Sequence, residues 1–193
     1  METKIRCGWC VGDKLYEAYH DLEWGVPLKD DAAIFEFLTL ETFQAGLSWI
    51  TVLRKRENFR KAFDNFDYQK IAEYSEEKTE ALMQDSGIIR NRLKILATVS
   101  NSQAFMKVQQ EFGSFARYIW GFVDNNPLQN SWKTLSEVPA TTAISDALSK
   151  DLKKRGFKFV GSTVMYAHMQ ATGMVNDHVI GCFRHLEVKQ KSQ

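Results

Sequence analysis

Glu41 is the residue whose setting asks for a chemical purpose. In the run from Asp31 to Ile50 it lies three residues after Leu38 and four before Ala45, so a helical period puts its carboxylate on the edge of an apolar face, close to Phe37, Phe43 and Trp49. A buried carboxylate needs a partner or a function. In an ordinary tilted helix, water or an arginine satisfies it. The other reading is a pocket with an aromatic wall and an acceptor at its end, suited to a flat, polar, electron-poor group.

A second set has the chemistry of a metal site. Cys7, Cys10 and His20 stand near one end of the chain and His178 and Cys182 near the other, with His168 and His185 as outliers. His178 and Cys182 are spaced to place two ligands one helical turn apart, and a Cys and a His from the first set would complete a tetrahedral site that ties the two ends together. Spacing leaves the N-terminal cysteine open, because Cys7-Gly-Trp-Cys10 has the C-x-x-C form of zinc and redox sites. Buried thiols and hydrogen-bonded histidines are the plainer alternative.

A third set is basic. The stretch from Ile144 to Ala167 reads as a helix rich in Lys, a turn from Gly156 to Gly161 that carries Phe157, Phe159 and Val160 toward the core, and a second helix running to about Gly173. Two glycines bracketing a short turn let backbone approach another molecule, and amides at a helix start receive phosphate. This is the form of a helix-hairpin-helix over residues 144–173, in which Lys154 and Lys158, with the backbone at Gly156 and Gly161, would hold a DNA backbone without reading sequence.

The elements that must position these groups are helices, so the expected fold is all-α. Asp30 or Asp31 can cap the helix of Glu41, Gly46 can end it, and Ser48 can start another that runs to about Phe63. The corner between them exposes Leu47. Asp67 and Ser75 can cap short helices, Ile88 to about Glu111 reads as one long helix with Ile95, Val99, Ser102 and Met106 inward, and Ser114 starts another with Phe115, Tyr118, Ile119 and Phe122 inward. Residues 124–140 read as a loop, and no strand pattern competes with the helical period.

Composition sets limits. The chain has 193 residues, a formal net charge of +1 and three cysteines, and no Pro, Gly or Ser-rich linker divides it, so one domain over residues 1–193 is expected. The start lacks the apolar run of a signal peptide and no stretch is long enough to span a membrane, which points to a soluble, cytoplasmic protein, and three cysteines there do not make a disulfide framework; a monomer is expected. The net charge alone does not call for nucleic acid, but Lys and Arg cluster at residues 54–61, 90–94 and 150–158, which allows one basic face.

Cys7-Gly-Trp9, Tyr19-His20 with Glu23-Trp24-Gly-Val-Pro27, Leu40-Glu41 with Gln44-Ala-Gly-Leu-Ser-Trp49, Gly87-Ile-Ile-Arg90, Lys154 through Gly161, and Val175-Asn-Asp-His178 with Cys182 together resemble the 3-methyladenine DNA glycosylase I family, over about residues 7 to 182. The resemblance implies a helix-hairpin-helix enzyme that excises N3-methyladenine, and more weakly N3-methylguanine, from double-stranded DNA. It releases the free base and leaves an abasic site. It also implies one structural zinc ion on Cys7, His20, His178 and Cys182, Glu41 as the carboxylate that recognises the base, and Trp9, Tyr16, Tyr19 and Trp49 as its aromatic neighbours. Cys10 departs from the family pattern and is left out of the ligand set. Asp177, beside a proposed ligand, is expected to orient His178, and neither a strong general base nor a lyase lysine is expected. Leu47 is the residue expected to fill the gap left by a flipped base. The alternatives are a zinc-stabilised hairpin module that merely docks on DNA, for which Glu41 would have no use, and a lesion-recognition module that would keep its affinity for the base yet release none.

Overall fold

The computed structural model describes residues 4–191, so the outermost ends of the expected 1–193 domain lie outside the described residues. After α1 (Lys14–Leu22) comes α2 (Asp31–Gln44), which is buried on every side from Phe37 to Phe43 and forms the axis of the core. Asp30 caps α2 by accepting the Ala33 N–H at 2.9 Å. Asp31 serves a different helix, since its two oxygens accept the Phe115 and Ala116 amides at the start of α8 (Phe115–Trp120).

The expected helix from Ser48 to Phe63 is two, α3 (Trp49–Leu53) and α4 (Arg56–Ala62). Ion pairs divide them. Arg54 reaches Asp13 at 2.5 Å, Arg56 bonds Glu23 and Glu36 at 2.6 and 2.5 Å, and Lys55 turns away to the Ser86 and Gly87 carbonyls at 3.1 Å. Ser48 does occupy the N-cap position of α3, but its hydroxyl bonds that of Thr51 and not a backbone amide. With Arg60 also held by Glu36, these pairs remove Arg54, Arg56 and Arg60 from the expected basic face.

Two short helices, α5 (Tyr68–Ile71) and α6 (Glu76–Gln84), start at Asp67 and Ser75 as expected. The long helix α7 (Arg92–Phe112) begins four residues later than the apolar pattern suggests, because Asn91 caps it by accepting the Lys94 N–H. Its buried line is also wider than expected. Ile95 and Ser102 are buried but Val99 and Met106 only half so, while Lys94, Thr98 and Phe105 face inward, since α7 packs against α2, α5, α6 and α8 together. Phe115, Tyr118 and Ile119 are buried and Phe122 is half-buried.

The segment after α8 is not wholly irregular. Leu128–Gln129 (β1) pairs in parallel with Val175–Asn176 (β2), a contact too short to show as alternation in sequence. The hairpin elements α9 (Ala143–Lys154) and α10 (Ser162–Ala171) pack on each other, and α11 (Phe183–Lys191) follows. No described helix is long and apolar enough to cross a membrane.

The connection from α1 to α2 rests on the end of α10, with the Gly25 and Leu28 amides donating to Gln170 O and Thr172 O. Gly173 makes this possible: its φ is +69°, and a Cβ there would sit 2.3 Å from the Val26 carbonyl carbon. Gly173→Ala is therefore expected to destabilise the protein by about 3 kcal/mol or more, read as a large fall in thermal midpoint.

Candidate active site

Glu41 is the eleventh of the fourteen residues of α2 and is 3 % exposed, at the wall of a cavity of about 410 Å³. The cavity is lined by Trp9, Tyr16, Tyr19, Trp24, Gln44 and Trp49, and on its far side by Leu135, Val138, Gln170 and Asp177. Among the described residues no side chain or amide bonds the Glu41 carboxylate. Burial without a partner pushes its pKa up to about 8. Its charge in turn raises the pKa of Tyr16 and Tyr19, although burial contributes more at both.

The aromatic wall is continuous. Trp9 meets Tyr16 at 4.7 Å and Trp24 at 5.1 Å between ring centres, and Tyr19 meets Trp49 at 5.4 Å. The Trp49 indole N–H is buried without a partner, and Glu41 lines the same cavity with no protein group bonded to its carboxylate among the described residues. Unpaired buried polar groups are costly, and at a cavity they mark where a ligand's polar edge fits. Leu47 does not line this cavity. It stands at the corner after α2, 40 % exposed, where Gly46 has φ +85° and Gln44 Nε2 donates to the Leu47 carbonyl at 2.7 Å.

Cys7, His20, His178 and Cys182 are all buried, and one ligand atom from each falls within 4.8 Å of the others. Cys7 Sγ is 3.7 Å from His178 Nδ1, and Cys182 Sγ is 3.4 Å from His20 Nε2 and 3.6 Å from His178 Nδ1. The outer nitrogens are engaged elsewhere: His20 Nδ1 bonds Asp21 at 2.8 Å, and His178 Nε2 bonds the Trp24 carbonyl at 3.0 Å. Those bonds place the ring protons on the outer nitrogens and leave the inner ones as acceptors, as ligation requires, with His20 Nε2 also accepting the Cys7 N–H at 3.4 Å. Contact with Cys182 and burial push the Cys7 thiol pKa up, and contact with Cys7 and both histidines pulls that of Cys182 down. The donor set thus fits a four-coordinate metal. Cys10 turns away, its thiol on the Cys7 carbonyl, and His185 bonds Asn130 O.

Asp177 does not orient His178. Its oxygens accept Asn130 Nδ2 at 2.6 Å, Trp132 Nε1 at 2.8 Å, Tyr166 OH at 2.6 Å and Gln170 Nε2 at 2.8 Å, and it faces the cavity. The supporting role beside the metal set falls to Asp21, itself held by Arg6. Sequence reasoning missed Asp21 and Trp24, although the residue after a candidate ligand, and a Trp inside the Tyr19-to-Pro27 run, were signals for both.

In the hairpin, Gly156 has φ +93° and Phe157 and Val160 are buried, but Phe159 is not pinned to the core: it has φ +56° and is 39 % exposed. Lys154 and Lys158 are exposed, Arg155 is paired with Glu111 and Asp151, and no side chain caps the start of α10 at Gly161.

A family model for methyladenine glycosylase matches residues 9–185. The chain belongs to that family. Among the methyladenine glycosylases it is 55 % identical over 177 residues to DNA-3-methyladenine glycosylase 1 of Escherichia coli strain K12, covering 92 % of this chain and 95 % of that one. A crystal structure of 3-methyladenine DNA glycosylase I superposes with a TM-score of 0.91 at 54 % identity, over 93 % of this chain and 98 % of that one. The Staphylococcus aureus 3-methyladenine DNA glycosylase I, in a structure describing recognition of 3-methyladenine, superposes at 0.90 with 35 % identity, over 92 % and 95 %.

The buried Glu41 makes stability depend on pH. Its folded pKa lies above the usual 4.5, so below about pH 4.5 both states are protonated and nothing is lost. Between 4.5 and about 8 the unfolded chain ionises while the folded one does not, and stability falls by a few kcal/mol. Thermal midpoints measured across this range are expected to fall less for Glu41→Gln than for wild type.

Proposed function

We propose that this protein is a monofunctional DNA-3-methyladenine glycosylase, which hydrolyses the N-glycosidic bond of N3-methyladenine, and more weakly N3-methylguanine, in double-stranded DNA. The observation that carries the reading is Glu41: a buried carboxylate with no partner, at the wall of an aromatic cavity. The relatives named as DNA-3-methyladenine glycosylases support it.

The chemistry follows from the substrate's charge. Methylation at N3 makes the purine cationic and weakens its bond to the sugar, so the leaving group is already activated. Flipping brings the base within reach, and a damaged base costs less to unstack. Trp9, Tyr16, Tyr19 and Trp49 present ring faces that favour a cation by ~1 to 2 kcal/mol each when water is excluded. Glu41 ionises against the positive purine and accepts its exocyclic N–H, a bond strengthened by charge. Neutral adenine gains neither term. The reaction needs no strong general base at the sugar, because water attacks a centre from which a good leaving group is departing.

Lys154, Lys158 and the backbone at Gly156 and Gly161 hold the phosphates, with Leu47 entering the gap in the stack. Cys7, His20, His178 and Cys182 would hold one zinc ion in a structural role, since four protein ligands leave no open position. The protein acts as a monomer in the cytoplasm on this reading.

Release of free base from methylated duplex DNA, resolved by chromatography, tests the activity. Wild type is expected to release 3-methyladenine selectively, with Glu41→Ala slower by about 100-fold or more while still folded. DNA binding without base release would instead identify a docking module. Metal analysis is expected to find one zinc per chain in wild type and little in His178→Ala, with a large fall in thermal midpoint on chelation.

A further inference from the structure

Helix α7 touches two DNA-facing features that lie far apart in sequence. Near its start, Lys94 is buried with no carboxylate beside it. Its Nζ donates instead to the Phe43 carbonyl at 2.9 Å and the Ala45 carbonyl at 2.8 Å, at the C-terminal end of α2. A cation suits that end of a helix, whose last carbonyls carry partial negative charge. These carbonyls flank the corner at Gly46 and Leu47, which is closed from its other side by the Leu47 amide on Gln44 O at 2.6 Å.

Two turns further along the same helix, about 10.5 Å by its rise, stands Asn101. It is buried, and its side-chain amide pairs with the backbone of the hairpin: Nδ2 donates to Lys158 O at 3.1 Å, and Oδ1 accepts the Lys158 N–H at 2.8 Å. That pairing fixes the residue just before Phe159, where the backbone takes its positive φ. Alongside the two anchors, Leu93 and Leu96 of α7 are exposed and share a shallow groove with Lys158 and Phe159.

We propose that Lys94 and Asn101 are positioning residues that set the spacing between the hairpin at Lys158 and the corner at Leu47, so that a duplex held at the first is opened at the second. Neither touches the base. Both act through backbone that the proposed function places against DNA, so the inference rests on that reading. It assigns a purpose to a buried lysine and a buried asparagine that the pocket chemistry does not use.

A defect in this spacing acts on opening the duplex and spares the pocket. The test compares single-turnover release of 3-methyladenine from one methylated DNA used as duplex and after strand separation. Lys94→Met and Asn101→Ala are each expected to slow release from the duplex by ~10- to 100-fold, with release from separated strands within about threefold of wild type. The double variant is expected to be no slower than the slower single one, because either change loses the same spacing. Helical signal and thermal midpoint identify folded variants, and Lys94→Gln serves if the methionine variant does not fold. Equal slowing on both substrates, no slowing, or effects that multiply in the double variant would overturn the proposal. Wild type releasing base from neither substrate would overturn the glycosylase reading itself.

Discussion

The structure depends on keeping one carboxylate out of water without giving it a partner. Desolvation of Glu41 is unfavourable, and the core is arranged to sustain it: α2 is buried on every side from Phe37 to Phe43, and Glu36 before that stretch is drawn outward by Arg56 and Arg60. An arginine placed next to Glu41 would have relieved the cost and, on the proposed function, taken the place of the cationic purine. The arginines of α4 lie close enough in sequence to tempt such a pairing, and each is engaged by another acid.

The metal set and the pocket form one construction. Trp9 packs on His20 at 5.3 Å and Trp24 on His178 at 4.6 Å between ring centres, so the back of the aromatic wall is the ligand cluster. Two chain ends that would otherwise fray are thereby joined behind the surface that must stay rigid. A Cys and His cluster built from two short peptide segments lies behind this wall, where a bound metal would do what a larger core does elsewhere. The β1–β2 contact and the hydrogen bonds around Asp177 hold the opposite rim in the same way, by linking the loop after α8 to the segment leading into His178.

Much of this is legible from residue types. Helical period, cap residues and glycine stops locate most of the helices, and Glu41 stands out because its period contradicts its polarity. Local signals fail where distant groups decide. Nothing in residues 48–63 announces that Arg54 and Arg56 answer to Asp13, Glu23 and Glu36, and the helix expected there is broken. Phe159 reads as a core residue by type, yet the turn that Asn101 fixes leaves it exposed. Asp177 misleads for the same reason. Adjacency to His178 in sequence suggests a contact, whereas the four donors that hold it come from residues 130, 132, 166 and 170.

The missing partner at Glu41 also bears on turnover. On the proposed function, when the bond to the sugar breaks its electron pair returns to the purine, and the formal positive charge that favours the base in the cavity disappears with it. The attraction that Glu41 exerts is thus strongest before cleavage and weakens at the moment of reaction, while the proton it prefers to carry at neutral pH is available to reclaim it. A pocket that had satisfied this carboxylate with a fixed cation would hold substrate and product alike. With no such cation here, the charge that the proposed function sets against the purine need not outlast the bond it helps to break.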